Sequence, residues 1–442
     1  MLRTLVITCF LTVSALLAIA QQSHDPLSSF GFGEFLDNTQ SAVAATGWNQ
    51  SVFNDYRHVN LTNAASYASL QSTTFELGLY AQRNLLANST QQIQSWKGNV
   101  NSVSLAFPMF SPLNEALDRK KRILKWGMGI GLSQFARTDF NYRLDYKDTD
   151  AGAIYQQHDG NGGYYKIHWN NGLNYKGLTL GVGAAYLFGK VTKNSTLTFL
   201  DISQEYTYNT NFITDVALNG FIFNFSGMYS FKLNPMTNGK ETDPSKLKKI
   251  TIGAYLNPAT NIKARQTKSL YSTVPFFGTT DTLYNEVETD SRGKFIMENG
   301  FGIQYNVGEK LELNANYAGI SFNNTSLLDY KNAYTNSALY SFGAEFSPNP
   351  YSLFSFFKRV KYRAGFRTGT QPLTIDGTQT RLTAGIVGIG VPVYVNRQIS
   401  FINLGVEAGK KEYGRGYSDK YINISLSLNL NDDYWFMKRK YN

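Results

Sequence analysis

The sequence predicts an all-β protein, a transmembrane antiparallel β-barrel of about 14 strands. Three observations predict it. From Thr73 onward, apolar residues recur at every second position, the period of a strand. Many of these segments run well past the ~5–6 residues usual in soluble sheets, and a tilted strand needs about 9–11 to cross a bilayer. The connectors also alternate between tight and long, as they do where short turns face the periplasm and long loops face outward.

The chain opens with an export signal. Arg3 supplies a short positive start, Leu5 to Leu17 is mostly apolar, and Ala18-Ile19-Ala20 is a small-x-small cleavage site. Residues 1–20 therefore read as a signal peptide, with the mature protein beginning near Gln21. The only cysteine, Cys9, falls in the removed part, which leaves no thiol for disulfides, metal sites or nucleophiles. Residues 21–71 lack alternation and are rich in Ser, Asn, Gly and Ala. They are either a loose leader or a plug that folds into the barrel; composition favours neither.

Residues 72–442 form the barrel. The expected strands are near 72–82, 99–108, 123–137, 164–175, 178–189, 214–233, 248–268, 291–306, 311–322, 337–347, 359–370, 379–393, 399–412 and 420–431. The number is even, as in bacterial single-chain barrels, and places both barrel ends in the periplasm. In the clearest strand Leu178, Leu180, Val182, Ala184, Tyr186 and Phe188 share one face, and Thr179, Gly181, Gly183 and Ala185 the other. Trp126, Met128, Ile130 and Leu132 likewise alternate with Gly127, Gly129, Gly131 and Ser133. Glycines on an inner face leave room for another backbone to approach. Phe221, Phe223, Phe225, Tyr229 and Phe231 suit a lipid face, and Tyr434-Trp435-Phe436 before a basic end suits an interface anchor. Asn174 to Gly177, Val307 to Lys310 and Val395 to Gln398 read as tight turns. Thr138 to Gly163, Leu270 to Asp290 and Asn323 to Asn336 read as long polar loops, and Val191 to Val216 as another that leads into an extended strand.

Composition agrees. Tyr 29, Phe 30 and Gly 38 are abundant, Pro 11 is scarce, and no apolar run after the signal reaches helix-spanning length. The formal charge of +10, less the one charge of Arg3, leaves +9 on the mature chain. In an exported protein that balance points to basic turns and anionic lipid rather than nucleic acid.

Several segments together resemble the FadL/TodX-like outer-membrane transport family, in particular its Bacteroidota-type branch. Ser28 to Glu34 (SSFGFGE) is similar to the opening motif of that branch. Asn60 to Leu70 (NLTNAASYASL) is similar to the Asn-Pro-Ala-Ser element that ends the family's plug, with Ala64 where the family has Pro. Leu180 to Gly189, Tyr362 to Phe366, Gly388 to Pro392 and Leu430 to Asn442 are similar to barrel segments in order and spacing. The resemblance implies a 14-stranded barrel with an N-terminal hatch over 21–71 in its lumen, and assigns Asn63, Ala64 and Ser66 to the hatch. It also implies passive uptake of hydrophobic small molecules, such as long-chain fatty acids, without a cofactor. One relative serves in type IX secretion instead, so secretion-system components are alternative partners.

Candidate chemistry is sparse. The histidines His24, His58, His158 and His168 show no nucleophile-base-acid constellation, which argues against an enzyme. His168 should face the lumen, and His158 should sit in a long loop. Asp148, Asp150 and Asp159 lack the spacing of a calcium loop, and no metal site is expected. Glu76, Glu298, Glu312, Glu345, Arg363, Arg367 and Glu407 fall on polar strand faces. Charge on the lipid face costs roughly 2–4 kcal/mol for Lys or Arg at midplane, so these should point inward and pair across the lumen or with the plug. Arg363 and Arg367 are the candidate ligand residues, because guanidinium matches a carboxylate bidentately. The expected location is the bacterial outer membrane, with its lipid as a partner. The expected function is transport of a hydrophobic molecule; an accessory barrel of a secretion or outer-membrane assembly machine is the alternative. An apolar pocket between plug and wall would favour transport.

Overall fold

In the computed structural model the described residues are 25–37, 39–110, 112–117, 119, 122–148, 152–199, 209–237, 240–273, 280–323, 325–327, 333–395 and 398–434. The expected signal peptide, Asp150 and the tail beyond Tyr434 lie outside them.

Fourteen antiparallel strands close into one barrel. They are β1 (Thr73–Ala87), β2 (Gln92–Pro108), β3 (Leu124–Asp148), β4 (Gly152–Tyr175), β5 (Leu178–Phe199) and β6 (Asn209–Lys232). β7 has two parts, Lys248–Asn257 and Asn261–Thr273, and so has β8, Thr280–Lys294 and Met297–Val307. The wall continues with β9 (Leu311–Ser321), β10 (Ser337–Phe346), β11 (Lys361–Ile375), β12 (Thr378–Val395), β13 (Gln398–Glu412) and β14 (Ser418–Asp432). Each pairs with the next, and β14 returns to β1 from Ser418↔Ala87 to Asp432↔Thr73. Closure gives every strand a paired neighbour on both sides, so no strand crosses the bilayer as a free edge, which a bilayer does not tolerate.

Each of the expected strands is present, but several are longer. The segment 138–163 is not a loop: β3 and β4 stay paired up to Asp148↔Gly152 as one tall hairpin. His158 therefore lies on a strand, with its ring stacked on Tyr142. Most of 270–290 is likewise a hairpin, paired from Leu270↔Tyr284 to Thr273↔Thr280. β5 and β6 continue into 191–216 in the same way, paired as far as Leu197↔Thr210. Above the membrane both faces of a strand meet water, so polar residues occupy both. Alternation stops marking the strand while its ladder bonds persist. Of the loop expected at 323–336, residues 324 and 328–332 lie outside the described residues, and Leu327 and Tyr334 are buried.

The two expected strands 248–268 and 291–306 are interrupted. Pro258 has no N–H to give to the ladder, and the gap 258–260 faces Phe295 and Ile296, which turn inward and are buried. Tight turns do sit where expected: Lys176 and Gly177, both at positive φ (50° and 92°), form the left-handed pair that a two-residue hairpin favours.

The outer face carries the lipid-matching residues. Phe221, Phe223, Phe225, Tyr229 and Phe231 are all exposed, as are Leu178, Leu180 and Val182. The inner face meets residues 25–72, which run inside the barrel from its far end to the near end where β1 begins. This luminal segment includes a short helix α1 (Ser41–Ala45) and a 3-10 turn (Ala64–Ser69), both buried. The inner-face glycines explain how it fits. A methyl group added at Gly127 would collide with the Tyr67 carbonyl, one at Gly181 with the Ala65 amide, and one at Gly343 with the Thr46 carbonyl.

The wall is split on one side. β2 and β3 pair only from Ser102↔Ser133 to Pro108↔Gly127. Above Ser133 the luminal strand Glu34–Phe35 takes the vacant edge of β3, opposite Arg137 and Ala136, and Leu36 N–H bonds the Phe135 carbonyl at 3.0 Å.

Candidate functional site

The luminal segment carries four acids, Asp25, Glu34, Asp37 and Asp55, and Arg57 is its one Lys or Arg. All four acids meet a wall cation. Glu34 bonds Lys97 on β2 and, at 2.8 Å, Lys411 on β13. Asp25 lies 3.6 Å from Lys97. Asp37 bonds Arg367 on β11. Asp55 bonds Lys361 at 2.8 Å, and His58 stands 3.3 Å away. Burial alone would raise the Glu34 carboxyl, but Lys411 and Lys97 outweigh it and hold it well below the usual carboxylate range.

Gly31 and Gly33, at φ 50° and 91°, turn the chain so that Phe32 enters an aromatic cap. Phe32 stacks on Tyr334 (5.8 Å between centroids) and meets Phe295 and Tyr164 edge-on. Below this cap, Phe35 and Leu36 face Trp48, Tyr255, Ile320 and Leu339 across a cavity of 140 Å³. A second void of 80 Å³ shares Phe35, Leu36, Asp37, Trp48 and Arg367 with it.

Arg367 is the arginine that lines both voids, beside Asp37 and Gln371, which also border both. Its guanidinium bonds Asp37 and, at 2.7 Å, Glu407, and lies 4.0 Å over the Trp48 ring. Its Nε is buried with no protein partner. Arg363, four residues along the same inner face, is held between Glu345 and Asn403 at 2.7 Å each. Of the two candidate arginines, Arg367 lines these voids and Arg363 belongs to the ion-pair network at the near end.

The other inner-face charges also point inward. Lys166 meets Glu298 at 3.3 Å, Glu76 accepts from the Val59 amide, and Glu312 accepts from Asn49 and Asn306. His168 faces the lumen, 2.7 Å from Ser133. Asn63 caps the 3-10 turn, its side chain accepting from the Ala65 amide at 3.0 Å, while Ser66 Oγ donates to the Asn63 carbonyl. Ala64 stands at the first position of that turn. Its N–H approaches Asn224 Oδ1 at 3.4 Å, a donor that Pro would lack. At the near end a wide polar basin of 530 Å³ opens between Asp55, Arg57, Glu309, Glu312, Tyr351 and Lys361. Among the described residues no three His, Cys, Asp or Glu side chains converge as metal ligands would.

Sequence reasoning missed Glu34, Asp37, Lys97, Trp48 and Lys411. A signal was available: isolated acids in a nearly charge-free segment, set against unpaired cations on strand faces.

A model of the BamG family matches residues 1–442. The chain belongs to the BamG family. No curated protein sequence matches this BamG-family chain significantly. Its fold is that of the FadL/TodX barrels. It is similar to the Pseudomonas putida toluene transporter TodX (TM-score 0.53, 14% identity, 87% of this chain and 98% of that one). It is similar also to the Ralstonia pickettii toluene transporter TbuX (TM-score 0.52, 12% identity, 89% and 98%). A Pseudomonas aeruginosa FadL homologue aligns with TM-score 0.51 and 10% identity over 90% and 99% of the two chains. The BamG-family barrel thus shares with them the architecture expected of an outer-membrane barrel.

Proposed function

We propose that this barrel binds small hydrophobic molecules in the void between luminal segment and wall and passes them across the outer membrane. The observation that carries the reading is the 140 Å³ cavity, which has an apolar side on Phe35, Leu36, Trp48, Ile320 and Leu339 and a polar side that includes Arg367, Asp37, Gln50 and Glu298. A dry apolar cavity of about 150 Å³ holds a benzene-sized guest. In its present shape the void suits a single ring. A longer chain such as a fatty acid needs the Glu34–Asp37 strand to move aside, and its carboxylate would then replace Asp37 on Arg367. The toluene transporters of the same fold support a ring-sized cargo by likeness alone. Residues 21–71 act in this reading as the hatch, and Asn63, Ala64 and Ser66 as its rigid foot.

The test is toluene binding to the purified full-length protein in detergent, with Leu339→Trp to fill the void. The expected result is binding by the parent and loss in Leu339→Trp, with the heat-resistant folded barrel retained. Equal binding by both would reject this cavity as the site.

A second reading is an accessory barrel of an outer-membrane assembly or secretion machine. It is favoured by how firmly the lumen is filled, with each luminal acid paired and the backbone seated on wall glycines. Toluene indifference together with co-purification of a stoichiometric envelope complex would support it.

A further inference from the structure

The connector 347–360 joins β10 to β11 at the near end and reads SPNPYSLFSFFKRV, with no acidic residue. It is built rather than loose. Asn349 N–H bonds the Lys358 carbonyl at 2.8 Å, Ser347 Oγ bonds the same carbonyl, and Arg359 Nη1 bonds the Ser352 carbonyl at 2.8 Å. The residues these bonds frame are nevertheless bare: Leu353 is 84% exposed, Phe354 100% and Phe357 73%. A soluble surface hides such a cluster or uses it.

Its position says what covers it. Tyr362, on the lipid face of β11, donates to the Phe357 carbonyl at 3.2 Å. The Arg359 guanidinium lies 5.5 Å over the ring of Tyr394, an exposed aromatic at the near-end rim where β12 stops. The cluster is therefore continuous with the barrel's lipid-facing band, at the level where its strands end. Lys358 is exposed beside it. Apolar side chains flanked by cations, held at a membrane rim, match the acyl boundary and the phosphates of a leaflet. The preformed loop loses little conformational freedom on entering it.

We propose that the Leu353–Phe357 tip is a wedge that inserts into the phospholipid leaflet at the near end of the barrel, with Lys358 meeting the phosphates. The wedge tethers that leaflet to the rim beside the mouth formed by Tyr351, Glu309 and Lys361. This does not depend on what the lumen carries.

The test uses the full chain with its sole cysteine replaced (Cys9→Ser) and Phe354→Cys carrying a nitroxide label, in vesicles of phosphatidylethanolamine and phosphatidylglycerol. Phe301→Cys on the lipid face and Ser89→Cys in a far-end turn give the two reference environments. Oxygen collects in hydrocarbon and a nickel chelate stays in water, so the oxygen-to-nickel collision ratio at 354 should exceed that at 89 by roughly tenfold. A ratio like that of position 89 overturns the proposal. So does shielding from both reagents, which would mean that protein covers the tip. Should Phe354→Cys fail to assemble, Phe357→Cys carries the same expectation.

Discussion

The two halves of the luminal segment are held by different physics. Residues 41–70 rest their backbone directly on wall glycines, and no side-chain rearrangement can make room for a Cβ at Gly127, Gly181 or Gly343. Residues 25–40 are held chiefly by charge, through Asp25, Glu34 and Asp37, and border the 140 Å³ void below the cap. Steric seating is all-or-none, whereas an ion pair can exchange partners with a ligand or with water. The lower half is thus a fixed foot, and the upper half is the part that can move.

The comparison breaks first at the foot. Gly181→Val should leave the barrel closed but the foot unseated, so that trypsin cuts at Arg57, which the parent protects. Gly385→Ala, whose new methyl has nothing nearer than 3.9 Å, should change nothing. Next in size is Lys361→Met, which strands Asp55 and Glu345 in a buried site. Removing one partner of a buried pair costs about 3–5 kcal/mol. Adding Asp55→Asn should recover part of that in a double-mutant cycle of unfolding midpoints.

Glu34→Gln should cost less, about 1–3 kcal/mol, and act only on the upper half. Hydrogen exchange should speed up over 25–37 while Arg57 stays protected from trypsin. Equal loosening of 41–70 would abolish the distinction between the halves. Acid should act in the same direction. Buried beside Lys411 and Lys97, Glu34 is held below its ordinary value of 4.5. Its contribution is complete above that value and is lost as the pH falls further. Opening of the upper half should therefore appear only below about pH 4.5. The smallest effect belongs outside both halves. Arg143→Ala removes the pair with Asp145 on the tall hairpin, where both side chains are half exposed or more, and should shift stability by less than about 1 kcal/mol.

The expected likeness to the FadL/TodX barrels holds for the fold, and SSFGFGE and NLTNAASYASL both lie in the luminal segment. The first forms the turn into the aromatic cap and the second the capped 3-10 foot. Two-residue periodicity located the strands through the bilayer because there each face has one solvent. It failed for 138–163, where Arg143, Asp145 and Lys147 continue a strand with water on both sides. It also passed over Pro258, since a strand bent at one residue keeps its alternation on either side.

By itself the sequence determined which way the wall residues within the bilayer point. Hydrocarbon on one face and an enclosed interior on the other select side chains position by position, and that selection is local. Tertiary structure alone decided that Glu34 meets Lys97 and Lys411, that Asp37 meets Arg367, and that Phe35, Trp48 and Leu339 leave a void between them. Those partners lie from about 60 to nearly 380 residues apart, and only closure of the barrel around the segment fixes which of many equivalent cations each acid finds.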